Sequence, residues 1–186
     1  MTSRAAADPM VIPSALSRAG EGDEAAFARL VVEHERMVYG IALHSLHDRE
    51  TAEELSQEVF LQLYRSLDAI ESPEHLVNWL RRVTANRCID VARRRRFRLV
   101  PLEDVAVAGD AGEWRDPIAA RTLARLIGRL PARQRLVIVL RYQEELELGE
   151  IAATLSMSVN TVKSHLRRGI EKLRRWLGES AERSDS

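Results

Sequence analysis

The chain has 186 residues, 45% of them hydrophobic and 5% aromatic, and its 28 basic and 28 acidic side chains cancel to zero net charge. This content supports packed cores and excludes a disordered chain, while six prolines, nine glycines and an abundance of Ala, Leu, Arg and Glu favour an all-α fold. The lone Cys88 excludes an internal disulfide and a thiolate metal site, and "LVIVL" at 136–140 is too short to cross a bilayer, so a cytoplasmic protein without membrane insertion is expected.

Residues 1–20, with Pro9 and Pro13 and little periodicity, read as a flexible N-terminal arm. Order is expected from Asp23, an N-cap before a helix in which Phe27, Leu30, Val31, Val38, Ile41 and Ala42 recur at helical spacing. Asp48 caps a second helix, with Ala52, Leu55, Val59, Leu63 and Leu67 on one stripe and Glu50, Glu53, Glu54, Gln57 and Glu58 on the other side. After the loop "LDAIES", Ser72 and Pro73 open a third helix that runs to about Arg96. Its buried stripe is Leu76, Leu80, Val83 and Val91; a second stripe carries Trp79, Arg82, Asn86, Ile89 and Arg93.

Residues 99–117 combine Pro, Gly and acids without a clean period, and at 19 residues they exceed a normal intradomain loop, so a linker between two small helical domains is expected there. Helices resume over 118–129, break at Pro131 and continue through "ARQRLVIVLRYQEEL". The last elements, "EIAATLSMS" and "SVNTVKSHLRRGIEKLRRWL", read as a helix-turn-helix: Ile151, Leu155 and Met157 fill a joint core and Ala152 permits a close crossing. At 100° per residue Val162, Leu166, Ile170, Leu173 and Leu177 share one sector of the second helix, opposite Asn160, Ser164, Arg167, Arg168, Glu171 and Arg175. Residues 179–186 read as a flexible tail.

Charge is strongly segregated along this order. Residues 21–64 carry ten acids against three bases, 65–98 nine bases against four acids, 99–117 five acids against one base, and 163–178 six bases against one acid. Two basic blocks flanked by acidic ones suggest two anion-binding surfaces. In the helix-turn-helix, Asn160, Thr161, Lys163, Ser164, Arg167 and Arg168 would meet base edges or phosphates in a major groove. On the third helix, an exposed line of aromatic, amide and guanidinium groups suits unpaired nucleic acid, by stacking, edge reading and phosphate contact. The acidic second helix is either a solvated face or a docking surface for a basic partner. A carboxylate-bridged metal bundle would need Glu three residues before His, and Val31, Ile41, His44, Ser72 and Val162 occupy those positions, so no metal or other cofactor is expected. Without a phosphate-cradling glycine loop, a nucleophile elbow or paired catalytic carboxylates, the chain does not read as an enzyme.

Three segments in order, "DRETAEELSQEVFLQLYRSLD" with "NWLRRVTANRCIDVARRRR", then "LPARQRLVIVLRY", then "EIAATLSMSVNTVKSHLRRGIEKLRR", closely resemble the bacterial extracytoplasmic-function (ECF) sigma factors over about residues 20–178. The resemblance implies region 2 over 21–98 and region 4 over 118–178. It implies that Glu53, Glu54, Gln57 and Glu58 dock on the clamp helices of the largest RNA polymerase subunit, with the flap as a further contact, and that the linker threads toward the RNA exit path. It implies that Ile70 and Glu71, in the loop before the third helix, join Trp79, Arg82, Asn86 and Arg93 in taking a flipped −10 base, and that His165 joins the −35 readers. An anti-sigma factor is the implied regulator. This chain departs from the common pattern with Ile70 where an aromatic is frequent, Ser156 and Asn160 where Gly is usual, and His165 where Arg is frequent. The competing readings are a helix-turn-helix regulator without polymerase, and a helical adaptor that binds only protein.

Overall fold

In the computed structural model, residues 11–98 and 117–184 are described, and every regular element among them is helical. Residues 1–10 of the expected arm, 99–116 of the expected linker and 185–186 of the expected tail lie outside the described residues.

The first helix, α1 (Val11–Gly20), corrects the reading of 1–20 as a flexible arm. Ala15, Leu16 and Ala19 lie on one side and are buried, and two of the three are small, so the helix packs closely. It ends at Gly22, whose φ of 91° suits glycine, and Arg18 reaches forward to the Asp23 carboxylate. Asp23 also accepts the Ala26 N–H at 3.0 Å, capping α2 (Glu24–Leu46) and holding its own carboxyl below the usual range.

Helix α2 is the central element. It packs on α1, on α3 (Arg49–Tyr64) and on α4 (Pro73–Arg98), around a core that includes Leu30, Val38, Val59, Leu63, Leu76 and Leu80. Asp48 accepts the Thr51 N–H at 3.3 Å and Ser72 Oγ accepts the His75 N–H at 3.1 Å, so both expected caps start their helices. Between α3 and α4 a 3-10 turn, Leu67–Ala69, brings Leu67 and Ile70 into the core.

The second half comprises α5 (Pro117–Gly128), α6 (Ala132–Tyr142), α7 (Leu148–Leu155) and α8 (Val159–Ser184). Helix α8 corrects the reading of 179–186 as a flexible tail, since the helix continues to Ser184 with no proline to stop it and Arg175 faces Glu179 at 3.9 Å, one turn on. Leu177, placed by period on the apolar side, is 42% exposed because the bundle no longer covers that end.

The two halves share a core. Ile41 of α2 and Ala85 of α4 are fully buried among Leu136, Val137, Leu140, Ile151 and Val162, with Met37 and Ile89 packed at the edge. Close approach is needed at α2, where a Cβ on Gly40 would come within 2.6 Å of Gln143 Nε2. Polar contacts cross the same seam: Arg81 Nε meets Glu144 Oε2 at 3.4 Å, and His47 Nε2 meets the Ala124 carbonyl at 2.9 Å.

Candidate polymerase and nucleic-acid interfaces

On α3 the i, i+3, i+4 burial of Ala52, Leu55, Val59 and Leu63 turns Glu53, Glu54, Gln57 and Glu58 outward, and all four are exposed. They are not equivalent. Arg49 donates to Glu53 at 3.0 Å and Arg87 donates to Glu58 at 2.7 Å and to Gln62 at 3.2 Å, whereas Glu54 has no ion-pair partner among the described residues. The acidic face continues into apolar surface that the sequence reading missed: Leu61 is 57% and Tyr64 49% exposed, and Phe27 stands edge-on to Tyr64 with centroids 5.0 Å apart. Leu61 also lines an open cleft of about 510 Å³ with Glu58, Gln62, Arg65 and Arg87. The signal for these residues was the polar-flanked Leu61, off the buried stripe of its own helix.

Along α4, Arg82, Asn86 and Arg93 are exposed, with Arg93 tied to Asp90 at 3.0 Å. Trp79 is half-buried against the first core, so only part of its ring faces outward. Ile89, from the same expected stripe, is packed at the shared core and is not offered to solvent as that stripe required. Glu71 is exposed at the mouth of the loop, where its N–H donates to His75 Nδ1 at 3.3 Å. Ile70 is 8% exposed and belongs to the core, so in this arrangement it holds the loop rather than presenting an apolar face to a base. Its aliphatic side chain is buried with Leu67, beneath a turn that α1 helps cover.

Helices α7 and α8 form the helix-turn-helix. The first is started by Glu150 accepting the Glu147 N–H at 2.7 Å, and Arg141 ties the approach by donating to the Leu146 carbonyl and to Glu147, both at 2.9 Å. It ends at Ser156, at φ 51° and ψ 47°, with the Met157 N–H returning to the Ala152 carbonyl at 2.9 Å. This left-handed residue explains why glycine is common at that position. Asn160 lies inside α8 with no positive φ, so its substitution for glycine adds a side-chain donor and acceptor and relieves no backbone strain.

Ser158 Oγ accepts the Thr161 N–H at 3.1 Å and lies 2.8 Å from Thr161 Oγ1, so Thr161 is engaged in the cap. Asn160, Thr161, Lys163, Arg167 and Arg168 are exposed and Ser164 half-exposed, turned from the buried Val162 and Leu173, while His165, half-exposed, stands at the flank nearer Val162. Arg167 faces Glu171 at 3.9 Å. Desolvation lowers the proton affinity of His165, and the charges of Arg133 and Arg168 lower it further.

No group of three His, Cys, Asp or Glu among the described residues is arranged to hold a metal ion. Cys88 is buried, and its burial pushes the thiol to about 12, which leaves it protonated and unreactive. Among the described residues no helix is long and apolar enough to cross a membrane.

Residues 30–98 match the family described as Sigma-70 region 2, and residues 120–173 match Sigma-70, region 4. The chain is 31% identical to the ECF RNA polymerase sigma factor SigW of Bacillus subtilis, over 90% of this chain and 97% of that protein. It is 34% identical to the ECF RNA polymerase sigma factor SigE of Mycolicibacterium smegmatis, over 85% of this chain and 65% of that one. Two solved structures share the fold at lower identity. CnrH, in complex with the cytosolic domain of CnrY, aligns with a TM-score of 0.66 at 23% identity, covering 91% of this chain and 98% of its own. The sigma factor RpoE, in complex with the anti-sigma factor NepR from Bartonella quintana, aligns with a TM-score of 0.69 at 21% identity, covering 82% and 96%.

Proposed function

The chain belongs to the ECF sigma factors of the sigma-70 family, and from that premise we propose how its own residues bind core RNA polymerase and direct promoter-specific initiation. The observation that carries the reading is the presence on one chain of both a region 2 and a region 4 segment; a helix-turn-helix regulator without polymerase requires only the second. In this reading residues 21–98 work as region 2, 99–117 as the linker and 118–178 as region 4.

Glu54, with Gln57 and the already paired Glu53 and Glu58, docks on the polymerase clamp helices, and Leu61 adds apolar contact beside them. On α8, Asn160, Lys163, Ser164, Arg167 and Arg168 read the −35 duplex and its phosphates, with Thr161 fixed in the cap and His165 on the flank. Region 2 holds the −10 strand along Arg82, Asn86 and Arg93, with Glu71 at the loop mouth and the outer edge of Trp79. Asn86 pairs with the edge of a base withdrawn from the stack, while the arginines hold backbone phosphate. Melting follows because captured bases offset an unstacking cost of a few kcal/mol per step.

The protein works in the cytoplasm, where polymerase and promoter are, and is held inactive by an anti-sigma factor, as the Bartonella relative's complex with NepR supports. Run-off transcription with purified core polymerase tests the reading. A transcript that depends on this chain and on a defined upstream sequence is expected; failure to bind core polymerase or to start at any promoter refutes it.

A further inference from the structure

One cation outside the helix-turn-helix stands at the edge of its reading surface. Arg133 is exposed in the first turn of α6. That turn is held against α8 at Gly169, where a Cβ would come within 2.8 Å of Ile138 Cδ1 and 3.7 Å of Gln134 Cβ, so the side chains of α6 pack directly on the α8 backbone at the glycine. The crossing brings Arg133, next in sequence to Gln134, to the flank of α8 that carries His165 and Arg168, near enough that both arginines act electrostatically on the imidazole.

At this locus two uncompensated guanidinium groups act on one imidazole. Several neighbouring cations have a carboxylate close by: Arg167 with Glu171, Arg175 with Glu179, Arg93 with Asp90, Arg87 with Glu58. Neither Arg133 nor Arg168 forms an ion pair or hydrogen bond among the described residues, and no acid is among the groups acting on His165. His165 Nδ1 is enclosed without a hydrogen-bond partner. Two guanidinium groups that both act on the one imidazole together attract an anion to that flank of α8. The planar donor fork of Arg suits a phosphate oxygen pair.

We propose that Arg133 and Arg168, with His165 beside them, clamp one backbone phosphate at the edge of the −35 major groove, so that α6 adds a DNA contact from outside the helix-turn-helix. The clamp rests on the −35 reading of α8. It fixes register on the duplex and carries no base information, as phosphate contacts do.

The test uses the full chain assembled with core polymerase, on the −35 duplex of a promoter that this holoenzyme transcribes. Arg133→Ala is expected to weaken binding about three- to tenfold near 0.15 M salt and to make the log–log salt slope shallower by about 0.9, the value for one phosphate. The preference for the cognate over a scrambled −35 sequence stays unchanged, and Arg133→Lys restores most of the slope. A slope identical to wild type overturns the clamp while leaving −35 reading intact, as does an Arg133→Ala loss that appears in core polymerase affinity alone. A wild-type holoenzyme with no −35 preference overturns the reading beneath it as well. Arg133 is exposed, so an unchanged thermal melt of the variant confirms that folding is not the cause.

Discussion

The shared core poses a geometric demand that yields a quantitative prediction. The −35 and −10 elements are roughly 25 base pairs apart, about 85 Å at 3.4 Å per pair. A compact chain of this length has a radius of gyration of about 16 Å and is about 40 Å across, so α5–α8 must leave α2 and α4 before one molecule reads both elements. His47 reports on that separation. It sits at the end of α2, donates from Nε2 to the Ala124 carbonyl at 2.9 Å, and has its Nδ1 buried without a partner. Burial first, then the charges of Arg135 and His44, lower its pKa from 6.5 to about 4, with the Ala124 carbonyl acting in the opposite direction. Opening releases it to near 6.5. The closed state binds the proton less well, so its advantage is fully present above about 6.5 and is lost as pH falls toward 4. The full effect is about 3 kcal/mol, and about 2 kcal/mol between pH 7.5 and 5, or about 25-fold in the open-to-closed ratio. Glu144 acts in the opposite sense: burial raises its pKa more than Arg81, Gln143 and His44 lower it, so acid favours closure at that residue. Single-molecule energy transfer between dyes on Glu54→Cys and Arg175→Cys, with Cys88 buried and protected, measures the ratio directly. Opening should increase with acid in the otherwise wild-type chain. With His47→Asn, a residue that tolerates the left-handed φ of 54° there, the acid-induced opening should be largely lost, since Glu144 acts against it. The same acid-induced opening in His47→Asn as in wild type would refute the reasoning.

Three further outcomes are expected. Glu54→Lys should weaken core polymerase binding about tenfold, about 1.4 kcal/mol, and shift the melt little, because Glu54 is exposed and unpaired; fluorescence titration with core enzyme checks it, and equal loss from Glu53→Ala alone would argue against that ranking. Asn86→Ala should lower open-complex formation about tenfold, the order of one lost hydrogen bond, with −35 duplex affinity unchanged; 2-aminopurine fluorescence in the −10 element reads the opening step. Ser156→Gly should raise the melting temperature by about 2 °C, since relief of a left-handed serine, about 1 kcal/mol, is only partly cancelled by the greater unfolded freedom of glycine; a lower melting temperature by calorimetry would contradict this.

Local chemistry in this chain was legible residue by residue. Asp23, Asp48, Ser72 and Ser158 each accept the backbone N–H expected of a cap, and the stripe Ala52, Leu55, Val59 and Leu63 is buried, because capping and amphipathic period act within one helix; Leu67, expected on the same stripe, is buried from the 3-10 turn that follows. Helix α1 is hidden in the sequence by Pro13, which reads as a breaker yet lies in the first turn of the helix, where proline is tolerated. What covers a face is a different question from whether it is covered. Ile41 read correctly as interior, yet the sequence of α2 holds nothing to say that its partner is α6 rather than α3, which is far nearer in the chain. The same gap explains Ile89, which shares its period with the exposed Asn86 and Arg93 and is covered only because the second half of the molecule arrives beside it.

That distinction bears on where this chain hides its control points. Motif reading finds residues whose role is set by their neighbours in sequence, such as the Ser158 cap and the cations of α8. It does not find residues whose role is set by contacts from another segment. Arg133 follows a helix break, inside the segment "LPARQRLVIVLRY" but outside the helix-turn-helix; it matters through the crossing at Gly169. His47 reads as a histidine beside a cap, and its depressed proton affinity arises first from burial, where Gly128 of the other half of the chain lies against its ring, and then from the charge of Arg135 there. Residues of this second kind can change without disturbing the helix they sit in. They are therefore where related chains with the same two regions can differ in closure and in grip on DNA while keeping the same fold.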